Sequence, residues 1–158
     1  MSTGELVARI GLGLALAFAV GFERELRGSS AGDRTFSLIG AATAALTAVL
    51  YASSPQALAG VITGIGFIGA GVVLHTENTM VRGVTTASAI FATAAIGVVV
   101  GTGHFVVGTL TALGVLLVLE LRYLPGLRWL DARRYASSFR PDDDPPAPRG
   151  ARGAPGRS

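Results

Sequence analysis

The residues of this chain most able to do chemistry are charged and close together. Glu23, Arg24, Glu25, Arg27, Asp33 and Arg34 all fall within residues 21–35 (GFERELRGSSAGDRT), and Arg82 precedes a second polar run. The carboxylates could serve as cation ligands, because magnesium keeps most of its water and needs only one or two carboxylates from a protein. The same acids and arginines could instead pair with one another and tie helices together. Thr85, Thr86 and Ser88 follow Arg82-Gly83 at the start of an apolar segment. A helix N-terminus with hydroxyls and a guanidinium suits a carboxylate or phosphate, and an internal glutamate is the simplest such anion.

Other patterns carry less. Gly28-Ser29-Ser30-Ala31-Gly32 fits G-x-S-x-G, but it lacks the strand-to-helix setting of a nucleophile elbow. Its possible partners, Glu77 and His104, fall on opposite faces of the topology derived below, so a flexible turn accounts for it. Gly64, Gly66 and Gly69 match G-x-G-x-x-G inside an apolar run, where the dinucleotide pattern has no meaning. His75 and His104 are single residues at segment ends, there is no HExxH, and the chain has no cysteine. These readings give no catalytic residue, no cofactor and no assigned metal site, and the chain is expected not to be an enzyme.

The elements that must position the charges are apolar. Half of the 158 residues are hydrophobic and 15% are charged, against roughly 25% in a soluble domain; mean hydropathy is +0.55. Outside residues 21–35, the only charges before residue 120 are Glu5, Arg9, Glu77 and Arg82. Five apolar segments, about 4–22, 35–52, 57–75, 84–102 and 104–122, each approach the ~20 residues that cross a bilayer core. The fold expected is all-α: a polytopic membrane bundle of five spans over residues 1–122. A soluble bundle would need a polar stripe on each helix, and segments 57–75 and 84–102 have none.

Glu5 ahead of Arg9 argues against a signal peptide and for a true first span, in which the two pair at i,i+4. Arginines occupy the first and third connections and the stretch after the fifth span, including Arg122. Those connections and the C-terminus are therefore read as cytoplasmic and the N-terminus as outside. Arg9 alone is on the other side, near enough to the interface to snorkel. Residues 123–139 read as an amphipathic segment on the inner surface, and residues 140–158, rich in Pro, Gly and charge, as a disordered tail. Arginines beside apolar runs fit membrane orientation rather than nucleic-acid binding.

Small residues recur at four-residue spacing: Gly13, Ala17 and Gly21; Gly40, Ala44 and Ala48; Ala89, Thr93, Gly97 and Gly101; and Gly60 with Gly64. Such faces let helices approach closely in lipid, either within one protomer or between two copies. Gly60, Gly64, Gly66, Gly69 and Gly71 are taken as packing glycines. A distorted or broken third helix lining an ion site is an alternative for the same stretch.

Glu23 and Glu25 follow the negative end of the first helix dipole, and Arg34 and Arg82 precede positive ends. Four charges set against the local field call for compensation, and a cross-helix cluster joining Glu23 or Glu25 to Arg34 or Arg82 would supply it. Asp33 either joins that cluster or caps the second helix. Solvated loop charges are the alternative; positive-inside sorting explains the arginines but not the acids.

Residues 21–28 (GFERELRG) and 31–35 (AGDRT), then 63–71 (TGIGFIGAG) and 81–90 (VRGVTTASAI), resemble the MgtC/SapB family of bacterial inner-membrane proteins. The likeness covers roughly residues 5–122. It implies a plasma-membrane protein of about five spans, linked through MgtC to growth in low magnesium and to restraint of the ATP synthase by contact in the membrane. MgtC also has a soluble C-terminal domain that this sequence does not match, so the shorter SapB-like members are the nearer comparison. The expected function is a non-enzymatic membrane regulator that binds itself or another membrane protein. The alternative is a magnesium or proton pathway using the carboxylates at the inner face.

Overall fold

Ser2 begins the first element as its N-cap: its hydroxyl accepts from the Glu5 N–H at 3.2 Å, the serine half of a capping box. The computed structural model describes residues 1–74 and 83–121. Among the described residues five helices follow in order: α1 (Thr3–Leu26), α2 (Asp33–Leu50), α3 (Gln56–Leu74), α4 (Val84–Gly101) and α5 (Phe105–Glu120). The expectations for His75, Glu77, Arg82, Arg122, the surface segment 123–139 and the tail 140–158 lie outside the described residues.

The all-α class and the helix order are as the sequence implies, with one correction. α1 does not stop near residue 22 but runs to Leu26. Glu23, Arg24 and Glu25 therefore stand on its last turn rather than in a connection. Termination comes only at Arg27, the C-cap, and Gly28, whose φ of 71° is the left-handed conformation that closes a helix. The Ser29 N–H then returns to the Arg24 carbonyl at 3.0 Å. α3 is continuous from Gln56 to Leu74, so the broken-helix alternative is not realised.

Small residues decide how the helices meet. α1, α2 and α4 form the closest packing, whereas α3 is held mainly by α4. Gly40 of α2 lies so near α1 that an added methyl would strike Ala17 and sit 2.6 Å from the Gly13 carbonyl oxygen. Gly97 of α4 has no room either, since a methyl there would collide with the Thr43 hydroxyl and stand 2.8 Å from the Gly40 carbonyl oxygen. On α5, Gly108 rests against Val100 of α4.

The helix crossings bury small residues (Ala17, Thr43, Ala44, Thr47, Ala89 and Thr93) together with Phe36, Ile90 and Ile96, while many bulky apolar side chains, Leu38 (71% exposed) and Phe67 (77%) among them, face outward. An outer surface this apolar suits lipid as the solvent. By length and composition, three helices among the described residues can cross a membrane: α1, the Gln56–Val73 part of α3, and α4. α5 is apolar but has 16 residues, and α2 begins on Asp33 and Arg34.

Candidate functional site

The end of α1, the α1–α2 connection and the start of α4 converge at one end of the bundle. Thr86, in the first turn of α4, is 6% exposed. Its hydroxyl receives a hydrogen bond from Arg24 Nη2 at 3.3 Å and lies 3.1 Å from the Ser29 hydroxyl. Thr85 and Ser88 face outward, and Ser88 bonds back to the Val84 carbonyl at 2.9 Å. Only one of the three expected hydroxyls therefore enters the site. Ser29 joins it from a motif that the sequence alone explains as a turn; Gly28, which swings the chain back over α4, is the signal that could have found it.

The acids separate into two roles. Glu23 is 6% exposed, with Oε1 3.7 Å from Arg27 Nε, one turn along the same helix. Glu25 reaches the next helix, where its Oε2 accepts from the Asp33 N–H at 3.1 Å. Gly32 makes this possible, because a side chain there would collide with the Glu25 carboxylate. The contact sets a negative charge on the positive end of α2 and offsets its poor position at the end of α1. The expected link from Glu25 to Arg34 is thus made instead to the Asp33 backbone, while Arg34 itself is exposed. Asp33 is the first residue of α2, not its N-cap, and its Oδ1 accepts from the Arg34 N–H at 2.5 Å. The pairing of Glu23 with Arg82 lies outside the described residues.

Two cavities open beside these groups. One of about 370 Å³ is lined by Glu25, Ser29, Ser30, Asp33 and Arg34. The other, of about 740 Å³, is lined by Arg24, Arg27, Ser29, Ser30 and Thr86 and by Ile68, Gly71 and Val72 of α3. Among the described residues no three Asp, Glu or His side chains are grouped as a metal site would require.

At the opposite end, Arg9 donates from Nη1 to the Gly101 carbonyl at 2.6 Å and from Nη2 to Glu5 Oε1 at 2.5 Å. The sequence offered snorkelling for this arginine; the structure uses it to cap the last turn of α4. His104 is exposed beside it, with Nδ1 2.9 Å from the Thr102 hydroxyl.

The glycines of α3 differ from those at the helix crossings. Gly60, Gly64, Gly66 and Gly71 have nothing within 4 Å of where a side chain would begin, and Gly69 only touches Ala87, at 3.7 Å. They stand at no close helix crossing of the protomer, although Gly64 borders a groove beside Leu38 and Thr43 of α2 and Gly71 lines the larger cavity. Gly13, Gly40, Gly97 and Gly101 do stand at such crossings, made by the α1, α2 and α4 backbones.

Residues 10–124 match the model of the MgtC family. The chain is 39% identical over 132 residues to the "Putative magnesium transporter YhiD" of Escherichia coli (strain K12), covering 75% of this chain and 61% of that protein. It is 29% identical to "Protein SapB" of Bacillus subtilis (strain 168), over 77% of this chain and 57% of SapB, so SapB is not the shorter and nearer comparison that the resemblance implies. Against "Protein MgtC" of Brucella abortus (strain 2308) it is 40% identical, over 61% of this chain and 43% of the relative. The chain thus spans less than two thirds of the length of each of these relatives. No solved structure matches it.

Proposed function

Because the chain belongs to the MgtC family, we propose that it is a non-enzymatic regulator in a bacterial inner membrane, acting by contact with protein in the plane of the bilayer. The single observation that carries this reading is the open face of α3. A helix apolar enough to span the membrane leaves Gly60 and Gly64 with nothing within 4 Å of where a side chain would begin, and Gly64 borders an open groove beside Leu38 and Leu46 of α2. In lipid, such a face gains most from another helix that can approach its backbone. The partner is a second copy of this chain or another membrane protein, of which the ATP synthase is the one implied by family resemblance. All five helices are read as spans, with the N-terminus outside and the C-terminus cytoplasmic, so that the charged end of α1 stands at the inner face.

A second reading is favoured by the YhiD name, which calls that relative a putative magnesium transporter. The carboxylates that would serve magnesium or proton movement in this chain are Glu23, Glu25, Asp33 and Glu77, the last outside the described residues. Liposome flux with purified protein decides between the two. The regulatory reading expects no flux above empty vesicles, and flux abolished by Glu23→Gln would replace it with transport.

A further inference from the structure

The larger cavity has a wall chemistry that neither reading uses. Arg24 is a permanent cation near the end of an apolar helix, yet among the described residues it has one hydrogen bond, to Thr86, and no carboxylate partner. Its Nε is buried without an acceptor. A partly buried guanidinium in that state is costly unless something supplies negative charge. Arg27, Ser29, Ser30 and Thr86 line the same space, and among the described residues no carboxylate does. Gly83, the α4 N-cap, has no side chain to cap the first turn, so N–H groups of that turn add positive potential nearby. Ile68 and Val72 of α3 add apolar surface to the lining.

We propose that this cavity binds a phosphate group, with Arg24 as its principal ligand and the hydroxyls of Ser29, Ser30 and Thr86 as further donors. Arginine is suited to phosphate because its planar fork donates two parallel hydrogen bonds. At about 740 Å³ the space exceeds a bare phosphate ion and accommodates a headgroup with the start of its glycerol. The pairing of cationic groups with apolar surface suits a phospholipid phosphate at a bilayer boundary, and free phosphate shares the chemistry.

The test uses the full chain purified in mild detergent. Phospholipid that stays bound through washing is identified by native mass spectrometry, and delipidated protein is titrated with inorganic phosphate and with a short-chain phosphatidylglycerol, followed by 31P line broadening. The expected result is phosphate binding that Arg24→Gln weakens by about tenfold or more, that Thr86→Val weakens less, and that Arg24→Lys partly restores. Retained lipid and preference for phosphatidylglycerol assign the site to a headgroup; equal response to inorganic phosphate assigns it to the free anion. Wild-type protein that binds neither overturns the proposal, as it would if a carboxylate of the chain itself filled the space. Binding unchanged in Arg24→Gln also overturns it.

Discussion

Arg9 and Gly101 are joined across the bundle: a guanidinium near the start of α1 caps the final turn of α4, with a 2.6 Å hydrogen bond to the Gly101 carbonyl. The charge lies where the α4 dipole is negative, and Glu5 holds it in place from one turn earlier. Arg9→Leu should lower stability by about 1.5–3 kcal/mol, the range for hydrogen bonds to charged groups. Arg9→Lys should recover part of it. Thermal melts followed by circular dichroism in detergent check this, and an unchanged Arg9→Leu melt would show the cap to be idle.

Gly40 and Gly97 make the opposite prediction from Gly64. A side chain at either of the first two meets backbone of the adjoining helix, and overpacking of that kind costs about 1–3 kcal/mol or more. Gly40→Val and Gly97→Leu should therefore unfold at lower denaturant than the parent. Gly64 faces open space, so Gly64→Ala should leave the protomer intact and add up to ~1 kcal/mol of helix propensity. Denaturant titration of the three variants separates the two kinds of glycine.

Glu25 acts as a cap supplied from the neighbouring helix. Removing it in Glu25→Ala should cost about 1 kcal/mol, as for loss of a side-chain cap, and Glu25→Gln should retain part of that. The direct readout is hydrogen exchange at the Asp33 amide, which the Glu25 carboxylate covers. Exchange should quicken in Glu25→Ala while amides in the middle of α2 are unaffected; uniform loss of protection would point to general unfolding instead.

Much of the architecture was legible because lipid simplifies the code. Runs of apolar residues broken at Gly28, Pro55 and Gly103 mark the helices, and the Gly13, Gly40 and Gly97 spacings mark the crossings. What was not legible depends on angles around a helix axis. α1 carries Glu23, Arg24 and Glu25 on successive positions, about 100° apart, and composition does not say which of them faces α2, α4 or solvent. The structure sends Glu25 to the start of α2 and Arg24 to Thr86. The α3 glycines were ambiguous for a related reason: small-residue spacing describes a face able to receive a helix, not whether that helix belongs to the same protomer. Arg9 is a third case, since its carbonyl partner is 92 residues away and carries no side-chain signal.

The central claim is that the open α3 face meets protein rather than lipid alone. A photo-crosslinking residue placed in turn at Gly60 and Gly64, and at Val7 as an exposed apolar control on α1, tests it in native membranes. Protein adducts of defined mass are expected from the two α3 positions, either a doubled chain or one recurring partner, with little from Val7. Lipid adducts alone at Gly60 and Gly64 would contradict it.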